Sequence, residues 1–213
     1  MFDPISILQE LIQIDTTNPP GNEAAAIYRL QRLMEEAGVS TEIYSRVPER
    51  PNLIAKVAGK GEAPPFLMQG HVDVVPTTDQ AWQHDPFGGE IIDGFMWGRG
   101  TLDMKGAVVM MVHALLRLAA SGDKPAGDVI LAVLSDEEDG GAFGARFLVE
   151  EQPVLFDGVE YCIGEFGAFP LTLGGTRFYP IQVAERLSIR FELTIRDVGG
   201  HGSMPRRGAA MGR

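Results

Sequence analysis

Three short apolar runs, each closing on a histidine or an acidic residue, constrain this chain more than any other feature. Pro65-Phe66-Leu67-Met68-Gln69-Gly70 runs into His71, Val129-Ile130-Leu131-Ala132-Val133-Leu134 into Asp136-Glu137-Glu138, and Val159 to Ile163 into Gly164-Glu165. Apolar runs of this length predict strands covered on both faces. Helical periodicity lies between them, over Met104 to Leu118 and Ala142 to Val149. Strands alternating with helices predict an α/β fold, a mixed and mostly parallel sheet sandwiched by helices. In such sheets ligands collect beyond the carboxyl ends of the strands, where these charged residues stand.

The N-terminal part fits the same plan. Asp3 can cap a helix with Pro4 in its first turn, and Ile5, Leu8, Leu11 and Ile12 then share a face. A second helix begins near Asn22, turns Ala26, Ile27, Leu30, Leu33, Met34 and Ala37 inward, and stops at Gly38, a residue suited to the left-handed C-terminal position. Val39 to Tyr44 and Asn52 to Val57 read as strands joined by a loop containing Pro48 and Pro51. After Pro180 the texture changes: Leu187, Ile189, Phe191, Leu193 and Ile195 alternate with polar residues, the period of a strand with one buried face. Residues 1–182 are expected to form the first part of one domain, and 183–213 the first strand and beginning of another. A lone strand cannot bury its apolar face, so the sequence is expected to be a piece of a longer protein.

Charge and composition narrow the classes of function. The formal net charge is −11 and no basic stripe is present, which argues against a nucleic-acid surface. No apolar run is long enough to span a bilayer, and Met1 to Ile5 lacks the basic stretch and apolar core of a secretory signal. A cytoplasmic protein is expected, with neither a membrane nor a nucleic acid as partner. Cys162, the single cysteine, excludes an internal disulfide and a thiolate zinc cluster, and reads as a small buried strand residue. Any metal must then be held by carboxylates and imidazole.

The residues at the strand ends are of that kind. His71 offers a neutral imidazole, and Asp73, two positions on, is close enough to accept the other ring proton and fix the tautomer. Asp103 lies in the small-residue stretch Trp97-Gly98-Arg99-Gly100-Thr101-Leu102-Asp103-Met104-Lys105-Gly106. Its two oxygens can bridge metals about 3.5 to 4 Å apart, or it can cap the helix that follows. The glycines there match neither nucleotide-binding spacing. Glu137 and Glu138 follow a buried strand directly. On an extended segment they would point to opposite sides, one to a metal and one to the attacking water; the structural alternative is an acidic surface turn from Asp136 to Asp139. Glu165 repeats the pattern. Carboxylates with one histidine, converging from separate elements, are what a two-metal hydrolytic centre needs.

These residues resemble the dinuclear zinc peptidase family that includes aminoacylase, carboxypeptidase G, acetylornithine deacetylase and succinyl-diaminopimelate desuccinylase. The matching pieces are His71-Val72-Asp73, Trp82 to Gly106 with Asp85-Pro86-Phe87 and Gly98-Arg99-Gly100, Asp136-Glu137-Glu138, Glu165, and Gly200-His201-Gly202-Ser203-Met204-Pro205. They run in family order over nearly the whole chain. The resemblance implies that Asp103 bridges two zinc ions, cobalt and manganese being alternatives, that His71 and Glu165 complete one site and that Glu138 serves the other. It implies that Glu137 is the general base, that Asp73 orients His71, and that the Asp103-Met104 peptide is cis. His201 resembles the histidine of a lid domain that, in dimeric members, stabilises the oxyanion in the neighbouring subunit; apart from the resemblance it reads as a turn histidine. The second domain is then the start of an α+β lid through which a homodimer forms. His84 and His113 receive no site assignment.

Two parts of the family pattern would lie beyond Arg213: the second histidine of the site on Glu138, and the lid residues that grip a substrate carboxylate. The resemblance implies a metal-dependent hydrolase that cleaves the amide bond of an N-acyl amino acid or short peptide. It also implies that these 213 residues alone are inactive. Glutamate at position 165 tilts toward acyl amino acids. One alternative is a non-catalytic metal-binding protein on the same scaffold, against which Glu137 speaks because it has no evident structural duty. Another is a zinc aminopeptidase with similar ligands, disfavoured by the Leu187 to Ile195 strand and the His201 motif.

Overall fold

The computed structural model describes residues 3–166, 170–181, 183–184 and 192–194, and the chain divides into two compact units, Met1–Gly167 and Ala168–Arg213. The first unit opens with α1 (Pro4–Gln13) and α2 (Ala24–Glu36), followed by β1 (Ser40–Tyr44), β2 (Asn52–Val57) and β3 (Phe66–His71). A small hairpin, β4 (Ile91–Ile92) and β5 (Phe95–Met96), leads to α3 (Lys105–Ser121). The unit closes with β6 (Val129–Leu134), α4 (Ala145–Glu151), a 3₁₀ turn (Pro153–Phe156) and β7 (Tyr161–Ile163).

Local signals account for the helix ends. Asp3 accepts the N–H groups of Ile5 and Ser6 at 3.3 and 3.0 Å, and Pro4 opens α1 where an N–H would be unpaired anyway. The stripe α1 buries runs through Ile7, Leu11 and Ile12. Ile5, expected on that face, is 51% exposed, because a stripe centred on the four-residue pair Ile7 and Leu11 swings Ile5 in the first turn outward. In α2 the expected Ala26, Ile27, Leu30, Leu33 and Met34 are buried, and the chain leaves the helix through Gly38 at φ +75°. The cap position falls on Glu23 rather than Asn22, and its side chain makes no capping bond because it is engaged elsewhere.

Apart from the β4/β5 hairpin, the strands of this unit form one five-stranded sheet in the order β1-β2-β6-β3-β7. The β1/β2 and β2/β6 pairs are antiparallel and the β6/β3 and β3/β7 pairs parallel, so only β2 runs against the rest. Alternate residues of each strand face opposite layers. Leu53, Ala55, Leu131 and Val133 pack with Leu11 of α1, Ile27 and Leu30 of α2, and Val108 and Val112 of α3. Ile54, Ile130, Ala132 and Leu134 pack with Phe147 and Leu148 of α4. Both faces of β6 are therefore apolar, which explains its unbroken run, and each such side chain contributes about 1.5–3 kcal/mol when fully buried.

The run Val159 to Ile163 behaves differently from expectation. Only Tyr161 to Ile163 form β7, an edge strand bonded to β3 alone, and Tyr161 and Ile163 stand in solvent at 67% and 53% exposure. Cys162 is likewise exposed rather than buried. Edge position is the reason, since one side of β7 has no neighbouring strand among the described residues. In the second unit β8 (Leu171–Leu173) and β9 (Thr176–Phe178) make a hairpin. Its two-residue turn, Gly174-Gly175, has positive φ at both positions, as the twist of a hairpin requires. The expected Leu187 to Ile195 strand lies almost wholly outside the described residues, and His201 lies outside them. No helix among the described residues is long and apolar enough to cross a membrane.

Candidate metal centre

Parallel pairing brings three strand ends to one edge of the sheet. β3 lies between β6 and β7, with His71 opposite Leu134. β6 continues through Ser135 and Asp136 to Glu137 and Glu138, and β7 through Gly164 to Glu165. Asp103 arrives from the loop that leads into α3. That loop packs too closely for a side chain at Gly100, φ +88°, where a Cβ would sit 2.9 Å from Val74 Cγ1 and 3.1 Å from Lys105 Cδ. The Asp103–Met104 peptide is cis. Met104 takes the cap position of α3, with no side-chain bond, so Asp103 does not serve as the helix cap and its carboxylate faces His71.

His71 Nε2 is the centre of the cluster. It lies 3.1 Å from Asp103 Oδ1, 3.7 Å from Glu137 Oε2 and 3.8 Å from Glu165 Oε2. The ligand atoms of His71, Asp103 and Glu138 lie within 4.8 Å of one another, and so do those of His71, Glu137 and Glu165. Residues 137–139 form a turn rather than an extended segment, entered through Asp136 at φ +67°. Glu137 and Glu138 therefore do not project to opposite sides of a strand, and both carboxylates reach the histidine.

Asp73 is fully buried beneath this cluster. His71 Nδ1 is 3.0 Å from the Asp73 backbone oxygen and 3.3 Å from its Oδ1, which places the ring proton on Nδ1 and leaves Nε2 turned to the carboxylates. The Asp73 carboxylate also accepts the backbone N–H groups of Glu137 and Glu138, each at 3.1 Å, and the Asn18 amide at 2.8 Å. One buried side chain thus touches the histidine and the backbone of both glutamates.

The electrostatics call for cations. Burial opposes protonation of His71, but the hydrogen bond and charge of Asp73, then Glu137 and Asp103, outweigh it and push the imidazole up to about 9. Burial, followed by the charge of Asp103, raises Glu138 to about 7 and raises Glu165 as well. Protons are retained on these glutamates because burial, and after it the neighbouring carboxylates, disfavour the charged form. Oxygen donors around one imidazole whose other nitrogen is tied back form a donor set that fits divalent metal ions.

Four residues near the site carried no sequence signal that singled them out. Asn18, Glu23, Arg50 and Lys105 are all buried. Lys105 donates from Nζ to the carbonyls of Leu11 and Ile14 at 2.9 and 2.8 Å, satisfying the C-terminal end of α1 from the first residue of α3. Its burial brings the ammonium down to about 8. His84 packs edge-on against Trp97 at 4.8 Å, and His113 lies within α3; neither joins the cluster.

A model of the Peptidase family M20/M25/M40 matches residues 67–193. A succinyl-diaminopimelate desuccinylase of Cereibacter sphaeroides is 34% identical over 207 residues, covering 97% of this chain and 52% of that protein. The chain spans about half the length of the curated relatives it matches. A solved M20 family metallo-carboxypeptidase of Sulfolobus solfataricus superposes with a TM-score of 0.65 at 20% identity, covering 78% of this chain and 37% of that one. A dinuclear metal binding peptidase of the M20 family from Bacillus subtilis gives 0.57 at 19% identity, over 76% and 41%. These two likenesses bear on the fold, a mixed sheet with helices on both faces. The family match takes in His71, Asp103, Glu137, Glu138 and Glu165, and by it this chain belongs to peptidase family M20/M25/M40.

Proposed function

We propose that the chain is the first part of a metal-dependent hydrolase that cleaves the amide bond of an N-acyl amino acid or short peptide and releases a free amino acid. The observation that carries this reading is the convergence of His71, Asp103, Glu137, Glu138 and Glu165, from separate loops at one sheet edge, with ligand atoms within 4.8 Å in each group. The desuccinylase relatives, named for removal of an acyl group, support the acyl amino acid class.

In this reading His71, Asp103, Glu138 and Glu165 would hold two divalent cations, zinc first and cobalt or manganese next. Such cations, when bound, polarise the amide carbonyl and ease ionisation of water. Glu137 takes a proton from the attacking water as the C–O bond forms, then passes one to the nitrogen as the C–N bond breaks. Asp73 keeps the His71 tautomer and holds the backbone of the glutamate pair. Residues 1–182 belong to the catalytic part and 183–213 open a lid, whose His201 reaches the oxyanion in the partner of a cytoplasmic homodimer.

The test is Glu137→Gln in the full-length protein. Both metals should remain while kcat falls by about 10²–10⁴, the usual range for a positioned acid–base group. Near-normal turnover refutes the assignment. Assays of N-acyl amino acids against dipeptides decide the substrate class. The 213 residues on their own should show no zinc-dependent amide hydrolysis, and measurable turnover by them would contradict the proposal that a further ligand and most of a lid are required.

A further inference from the structure

Behind the cluster lies a second layer of charge that the hydrolytic reading leaves unused. Arg50, Glu23, Asp136 and Asn18 are 7%, 0%, 2% and 2% exposed. Arg50 donates from Nε to Glu23 Oε2 at 3.1 Å and from Nη2 to Glu23 Oε1 at 2.7 Å, and the same Nη2 lies 3.1 Å from Asp136 Oδ1. Glu23 Oε1 also accepts the Asp136 N–H at 3.3 Å. Asp136 is held at every polar atom. Its Oδ1 accepts the Asn18 amide at 3.1 Å, its Oδ2 the Phe143 N–H at 3.0 Å and its carbonyl the Gly141 N–H at 2.6 Å. Asn18 joins this layer to the one above, since the same amide nitrogen donates to Asp73.

Arg50 itself is caged. Its guanidinium carbon stands 5.0 Å from the Phe143 ring centroid. It also packs against Gly21, φ +78°, where any Cβ would collide with the guanidinium. The cage fixes the one cation that this layer contains among the described residues. Without it, Glu23 and Asp136 would face each other as buried anions, with Asp73 one amide away. Asp136 is also the residue at which the chain reverses, in a left-handed conformation uncommon for a side-chain-bearing residue, immediately before Glu137. A buried ion network of this kind is a poor source of stability, because well-packed apolar residues of the same volume commonly do as well. Its place under the acidic turn indicates a different use.

We propose that Arg50 is a positioning residue for the glutamate pair, acting through Asp136 to fix the turn that aims Glu137 and Glu138. Asp73 holds the two amide groups from one side, and the Arg50–Glu23–Asp136 unit holds the entry to the turn from the other. This inference rests on the proposed role of Glu137, and the experiment separates the two.

In the full-length protein loaded with cobalt, Arg50→Lys keeps the charge and loses the planar fork, while Glu23→Gln keeps the side-chain shape and loses the charge and one of the two acceptor oxygens. For each variant that folds with two bound metals, kcat should fall about tenfold or more with KM within about threefold, as expected when a reacting group is displaced by a fraction of an ångström. The cobalt absorption bands should shift at the same time, since Glu138 moves with the turn; a general loss of stability would leave them unchanged. Glu137→Gln is run beside them. If that variant turns over normally, the proposed function is what fails. If it is inactive while a folded, metal-loaded Arg50→Lys or Glu23→Gln has wild-type kcat and bands, the positioning role is overturned. Failure of both variants to fold also overturns it, because the network would then be serving stability.

Discussion

Replacing Asp73 by asparagine separates the two duties assigned to that side chain. Its Oδ1 faces the Glu137 N–H at 3.1 Å and His71 Nδ1 at 3.3 Å, and its Oδ2 faces the Glu138 N–H at 3.1 Å and the Asn18 amide at 2.8 Å. An amide can present oxygen to only one of these pairs. The cheaper orientation turns NH₂ toward Glu137 and His71, because His71 keeps a second acceptor in the Asp73 carbonyl at 3.0 Å. One partly buried backbone N–H, that of Glu137, then lies orphaned, at about 1–3 kcal/mol, and the bonds that remain lose their charge, so the metal-free protein should lose about 2–5 kcal/mol. Imidazole orientation survives, and the damage falls on the glutamate turn. Urea unfolding of metal-free protein measures the stability loss; competition with a chelator should show divalent-metal affinity down about 10–100-fold, as for supporting groups of other metal sites. A stability change under about 0.5 kcal/mol, with affinity within about threefold, would refute the reasoning that Asp73 supports the turn.

Metal binding should expel protons: near pH 6 the metal-free site holds one on His71, at about 9, and one on Glu138, at about 7, so release should approach two and fall toward one near pH 8. Calorimetry in two buffers of unlike ionisation heat counts them, and no buffer dependence would contradict the crowding of charge. In the metal-free protein both groups titrate above their ordinary values of 6.5 and 4.5, so the stability His71 contributes is present below about 6.5 and lost as pH rises through 9. Glu138 works the same way between about 4.5 and 7, and the urea midpoint should fall from pH 5 to pH 9. A midpoint that rises over that span would contradict it. Lys105→Met should cost about 1–3 kcal/mol, since the Leu11 and Ile14 carbonyls lose their donor while an unfavourably buried charge is removed. Lys105, at about 8, lies below its ordinary 10.5, so the wild type gains stability from about pH 8 to 10.5 and the variant should lack that gain in urea unfolding.

The parts of this structure that could be read from sequence are those whose cause is local or chemical. Val129 to Leu134 advertises itself as a strand because both of its faces meet helices, and Gly38 marks a helix end because few residues accept φ +75°. His71, Asp103, Glu137, Glu138 and Glu165 were legible because so few side chains can ligate metals and because strand ends are where a sheet of this type gathers them. What escaped was whatever depends on a neighbour distant in sequence. Val159 to Ile163 carries an apolar run much like the others, yet β7 lies at an edge, and nothing within those residues says which strand lacks a second partner. Glu23 and Arg50 look in sequence like any surface pair, since neither periodicity nor spacing distinguishes a glutamate at 0% exposure from a solvated one. The same blindness puts Glu137 and Glu138 on an extended segment: Asp136, where the chain reverses, is held by Arg50, Glu23 and Asn18 from other parts of the chain as well as by the nearby Phe143. Which side chains gather is therefore a property of the sequence read locally, whereas the direction they face belongs to the buried layer beneath them. On the proposed function, a protein that kept the five cluster residues but lost Arg50 would still match the motif and yet be a poor catalyst.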